Sequence, residues 1–187
     1  MKTRLLSLAL VAASFSPLAV QAQQALVPAQ SEVSFTSRQM GVPVDGKFKS
    51  FSAQVAFDPA KLASSSIAFT VDTGSADISR EANAELPKAT WFNVAQFPKA
   101  TFTSSSIKKL DATKYEVAGK LAIKGVSSDV VVTVSLAQNG ATTVASGAFP
   151  IKRLTFRIGE KEWADTSMVA DEVQVKFKIA MTGVPKL

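Results

Sequence analysis

The chain has 187 residues, with 21 Lys and Arg against 15 Asp and Glu, no cysteine and no histidine. Those two absences exclude disulfides, thiol catalysis and cysteine-held zinc or iron–sulfur centres, and they remove the commonest general base and metal ligand. The net charge of +6 comes from scattered lysines, which fits a solvated outer face better than a nucleic-acid footprint.

Met1-Lys2-Thr3-Arg4 carries two positive charges ahead of the apolar run Leu5–Ala13, and Pro17 is followed by Val20-Gln21-Ala22. This pattern predicts a secretory signal peptide over residues 1–22, cleaved after Ala22, with a single domain over residues 23–187. The interrupted apolar run is too short to span a bilayer, so no stable membrane insertion is expected.

Beyond the signal segment the hydrophobic pattern has period two, the mark of strands with one buried face. It predicts eight strands, around Val33–Ser37, Phe51–Phe57, Ile67–Val71, Ala100–Ser104, Tyr115–Ile123, Val130–Leu136, Ala145–Ile151 and Val173–Ile179. Between Phe48 and Phe51 the apolar phase slips by one residue, which implies a bulge or a corner. Turn signals stand at Asp45-Gly46, Asp58-Pro59, Lys124-Gly125 and Asn139-Gly140, the last predicting a hairpin. One helical connector is expected over residues 77–85, followed by Pro87, which would suit a first helical position. A second irregular segment, residues 157–170, holds Trp163. The fold class is therefore all-β, a sandwich or a barrel. Lys47, Lys49, Lys120, Lys176 and Lys178 lie on the outward phase, which belongs in water and not in lipid.

The serine runs have no histidine to activate them, and the acidic residues lack the alternating spacing of a calcium loop. No catalytic residue, metal or cofactor is assigned. The distinctive feature is aromatic: 12 Phe and 2 Trp against one Tyr, with Phe35, Phe51, Phe57, Phe69, Phe102 and Phe177 all on apolar phases. An eight-stranded barrel either fills its interior with such side chains or holds a small ligand among them, and periodicity leaves both open.

Particular phrases of the chain resemble the YceI-like family of periplasmic, lipocalin-like proteins. They are Ser31-Glu32-Val33-Ser34-Phe35 with Met40–Phe48, which looks like the family's opening strand pair, and Trp91–Ser104 with its Trp91-Phe92 and Phe97-Pro98. Gly119–Val126 and Arg153–Gly159 follow in order. The resemblance implies an extended antiparallel eight-stranded lipocalin-like barrel, an elongated apolar channel for a long-chain isoprenoid or other apolar lipid, and no established catalytic residues. On that basis the expected channel wall is Phe35, Phe51, Phe69, Trp91, Phe92, Phe102, Leu121, Val132, Phe149 and Phe177, and the expected mouth is Arg38, Gln39, Arg80 and Arg153. Family members often carry histidines where this chain has Gln30 and Gln39, so an imidazole role at the mouth is not expected here. The function that follows is binding, transport or storage of that lipid in the periplasm, without catalysis or nucleic acid, and with a homodimer left open. Two alternatives stand beside it: an accessory protein that presents bound quinone to a redox partner, and a filled-core domain for adhesion or stress protection.

Overall fold

A computed structural model describes residues 24–187, so the expected signal peptide and its cleavage site lie outside the described residues. Eleven strands form one antiparallel sheet: β1 (Ala25–Leu26), β2 (Glu32–Gln39), β3 (Val42–Phe48), β4 (Phe51–Ala56), β5 (Ser66–Asp72), β6 (Ala76–Asp77), β7 (Lys99–Lys109), β8 (Lys114–Ile123), β9 (Val126–Asn139), β10 (Thr142–Lys152) and β11 (Glu172–Thr182). They pair in the order β4-β5-β7-β8-β9-β10-β11-β2-β3-β6, with β1 also on β11. All eight expected segments are strands, and β1, β3 and β6 are additional.

The larger count has a simple cause, because three long runs are each broken in two. At Pro28–Gln30 a single 3-10 turn separates β1 from β2, and both parts pair with β11. Another break, at Lys49 and Ser50, separates β3, paired with β2 and β6, from β4, paired with β5. This is the corner that the phase slip implied. Thr73–Ser75 makes the third break, between β5 and β6. The last two breaks face each other and exchange hydrogen bonds: the Lys49 amide donates to Ser75 O at 3.1 Å and the Asp72 amide to Ser50 O at 2.9 Å. The sheet therefore curls back on itself through the β3–β4 run. Beside β1 and β4, the Gln24 side chain donates to Phe57 O and accepts from the Phe57 amide, at 2.6 and 3.0 Å, in place of ladder bonds.

Three local expectations need correction. Asp45-Gly46 is not a turn but lies inside β3, opposite Thr36 and Phe35. Glycine is required there because the Phe35 ring lies across the strand where a Cβ would project. In the β9–β10 hairpin the turn residues are Gly140 and Ala141, one step later than Asn139-Gly140, since Asn139 still pairs with Thr142. Gly140, with φ +58°, takes the positive-φ position that such a two-residue loop demands. The helix α1 is shorter than expected, Arg80–Glu85, because Ser79 caps it by accepting from the Ala82 amide at 3.2 Å. Asp77 belongs to β6, and Pro87 falls in the turns after α1 without starting a helix.

Two apolar clusters line the interior. One runs along the sheet and includes Val33, Phe57, Ile107, Tyr115, Val117, Leu136 and Ile179. The other closes one end with Leu86, Phe92, Leu121, Ile123, Phe156 and Ile158, drawn largely from the two irregular segments.

Candidate functional site

Inside the curled sheet lies a cavity of about 190 Å³. Its wall is almost entirely aliphatic and aromatic, because every second residue of the surrounding strands points inward. β4 and β5 contribute Val55, Ile67, Phe69 and Val71, β7 and β8 contribute Phe102, Ile107, Tyr115, Val117 and Leu121, and β9 to β11 contribute Val132, Val134, Phe149, Val175 and Phe177, among others. Tyr115, Val117, Leu121 and Val132 are buried, whereas Val55, Ile67, Phe69, Val71, Phe102, Val134 and Phe177 keep part of their surface accessible. Partial exposure of inward apolar residues marks a space that the side chains do not fill.

Of the residues expected in the wall, Phe69, Phe102, Leu121, Val132, Phe149 and Phe177 border this cavity. The other four lie elsewhere. Phe51 stacks on the Phe69 ring with centroids 5.7 Å apart. Phe35 packs on Phe48 at 5.3 Å, and Phe48 meets Phe92 at 6.1 Å in the end cluster. Trp91 lies against Trp163 at 5.4 Å. Phase alone cannot separate wall from plug, since both ends of a strand share it. Tyr115, Ile107, Val134 and Val175 also border the cavity, and the same alternation could have found them. Val184 borders it from beyond the last strand, where no periodicity exists.

None of the four residues expected at a mouth borders the cavity. Exposed Arg38 donates to Gly41 O at 3.1 Å and so braces the β2–β3 turn. Gln39 bridges to Val169, and Arg80 is the exposed first residue of α1. Arg153 is the clearest departure, because it is only 2% exposed. Its guanidinium donates to five backbone carbonyls: Ala170, Ile158, Gly159, Trp163 and Val169, at 2.7 to 3.1 Å. Those are all five N–H groups that an arginine possesses. Burial lowers the Arg153 pKa, and the nearby Asp171 carboxylate opposes that shift. Irregular backbone leaves carbonyls without ladder partners, and this one side chain supplies them.

A second buried cation lies nearby. Lys124, in the β8–β9 turn with φ +49°, donates to Arg157 O and to Glu160 Oε2, the latter at 3.0 Å. Arg157 Nε donates to Glu160 Oε1 at 2.9 Å. The hydrogen bonds from Arg157 and then Lys124 hold the Glu160 pKa below its ordinary value. Among the described residues no three acidic side chains converge as a metal site. The chemistry that this arrangement offers is apolar enclosure.

Comparison with known proteins gives a consistent result. Residues 25–181 match the family model described as a YceI-like domain. A UPF0312 protein of Enterobacter sp. (strain 638) is 31% identical over 145 residues, 75% of each chain. The crystal structure of Burkholderia cenocepacia BcnA is 49% identical with a TM-score of 0.80, covering 83% of this chain and 98% of that one. A polyisoprenoid-binding domain from Saccharophagus degradans, implicated in plant cell wall breakdown, is 14% identical with a TM-score of 0.70 over 86% of this chain and 98% of its own, a likeness of fold. With the family model covering nearly all the described residues and the curled sheet shared, this chain belongs to the YceI-like domain family.

Proposed function

We propose that the protein binds an apolar, isoprenoid-like lipid inside the curled sheet and carries or stores it in the periplasm, without catalysing a reaction. The observation that carries this reading is the cavity of about 190 Å³ with its incompletely buried Phe69, Phe102 and Phe177. Hydrocarbon entering such a space gains roughly 0.8 kcal/mol per buried CH2-sized group and needs no hydrogen bonds. The fold neighbour from Saccharophagus degradans is described as polyisoprenoid-binding, which agrees with this ligand class. Periplasmic placement is supported by the charged start, apolar run and Val20-Gln21-Ala22 of the sequence.

Size limits what the resting cavity holds. A cavity of about 150 Å³ takes a benzene ring, so about 190 Å³ takes a ring or a short branched segment. A longer chain must displace wall side chains. Phe69, Phe102 and Phe177 are suited to give way, since they are incompletely packed.

Thermal unfolding of delipidated protein, with and without a long-chain isoprenoid, tests the reading. A ligand that binds only the folded state stabilises it by about 2.7 kcal/mol at a hundredfold excess over the dissociation constant, and so raises the midpoint. An unmoved midpoint at saturating isoprenoid overturns the proposal. For the location, N-terminal sequencing of exported protein should begin at Gln23, and a retained Met1 contradicts it.

A further inference from the structure

Among the described residues, two buried side-chain polar atoms have no hydrogen-bond partner: Trp91 Nε1 and the Tyr115 hydroxyl. Only Tyr115 borders the cavity, and it is 1% exposed. A buried hydroxyl without an acceptor is costly, and such groups are uncommon in folded proteins. The other buried hydroxyl in the wall is not orphaned, because Thr143 Oγ1 accepts from Gln138 Nε2 at 3.0 Å. Tyr115 packs on the Phe57 ring in a T-shaped pair, with centroids 5.2 Å apart and planes at 89°. Lys109, directly opposite in the ladder, places its ammonium 5.9 Å from the Tyr115 ring centre. An ammonium offers donors only, so it cannot receive the phenolic proton.

We propose that the Tyr115 hydroxyl anchors an uncharged, oxygen-bearing head group, so that the cavity takes a lipid head-first and selects an amphiphile over a bare hydrocarbon. This rests on the lipid-binding reading above. The phenol would donate to a carbonyl or hydroxyl oxygen, as in a prenol, a phenol or a quinone. Phosphate and carboxylate heads are disfavoured at this end, because Phe57, Ile107, Met181 and Val184 of the wall would have to surround their charge. The hydroxyl oxygen is enclosed, so a head group reaches it only when wall side chains that pack on Tyr115, Phe57 among them, turn aside. The arrangement matches the common form of small-molecule sites, an apolar pocket with very few polar groups that fix orientation.

The test compares delipidated wild type with Tyr115→Phe, which keeps the ring and removes only the hydroxyl. Two probes are titrated calorimetrically: geraniol, and the hydrocarbon that lacks only its hydroxyl. The wild type should favour geraniol, and the variant should reduce that preference by about three- to tenfold while its affinity for the hydrocarbon stays the same. The unfolding midpoint of the ligand-free variant should equal or exceed that of wild type, since an orphaned group is lost. An unchanged preference overturns the anchor but leaves lipid binding standing. A lowered ligand-free midpoint also overturns it, because the hydroxyl then has a partner within the protein. If wild type binds neither probe, the lipid-binding reading fails and the anchor falls with it.

Discussion

The two interior clusters are built from similar apolar side chains yet differ in what holds them. Along the sleeve, Phe69, Phe102 and Phe177 stand on ladder-paired strands whose backbone groups are already satisfied, so the wall needs no polar support and can stay incompletely packed. At the closed end, Phe156 and Ile158 stand on irregular chain, and the carbonyls around them are gathered by buried Arg153. The difference teaches that regular strands can enclose space, whereas loops can close it only with an internal polar scaffold.

The sharpest way to break this contrast is at Arg153. Arg153→Met leaves five carbonyls without their donors and should destabilise by about 3–5 kcal/mol in denaturant unfolding. A loss under about 1 kcal/mol would show that the closed end needs no such scaffold.

A matched pair of truncations compares the regions directly. Phe156 is 2% exposed, so Phe156→Ala should cost about 3–5 kcal/mol, as in a packed core. Phe102 already borders the cavity, and Phe102→Ala should cost less than half of that in delipidated protein while weakening isoprenoid affinity. Equal costs in chemical denaturation would mean that the sleeve is packed like the plug.

Gly119 tests how tightly the sleeve wall is drawn. A Cβ there would stand 2.5 Å from both Phe102 Cζ and Thr103 O, so Gly119→Ala must displace the ring or part β7 from β8. The expected loss is about 1–3 kcal/mol, read from the unfolding midpoint. Ala118→Trp on the outward face should change stability by no more than about 0.5 kcal/mol.

The smallest effect is the pH dependence of the closed end. Because the Glu160 pKa lies below its ordinary value, its contribution is complete above the ordinary carboxylate range and is lost as pH falls through the lowered value. Glu160→Gln should therefore flatten the acid limb of the stability–pH curve and leave the neutral region less stable than wild type. An unchanged acid limb would refute the linkage.

Alternation alone located the eight main strands, the corner after Phe48 and the inward phase that carries Phe69, Phe102 and Phe177, because a period-two pattern is a local property of the chain. Alternation did not show β3, which only the resemblance of Met40–Phe48 to an opening strand pair suggested, because Pro43 and Asp45-Gly46 carry turn chemistry that pairing with β2 overrides. The cavity was not legible either, since a filled and a hollow barrel share one alternation, and Phe51 and Phe69 differ only in which of two stacked rings faces the space. Arg153 illustrates the limit most clearly. Its charge suggested the surface, and only the convergence of residues 158–170 around it supplies the acceptors that make burial tolerable. Sequence thus determined which residues turn inward. Tertiary structure decided which of them meet one another and which meet open space, because that depends on how far apart the curled strands stand.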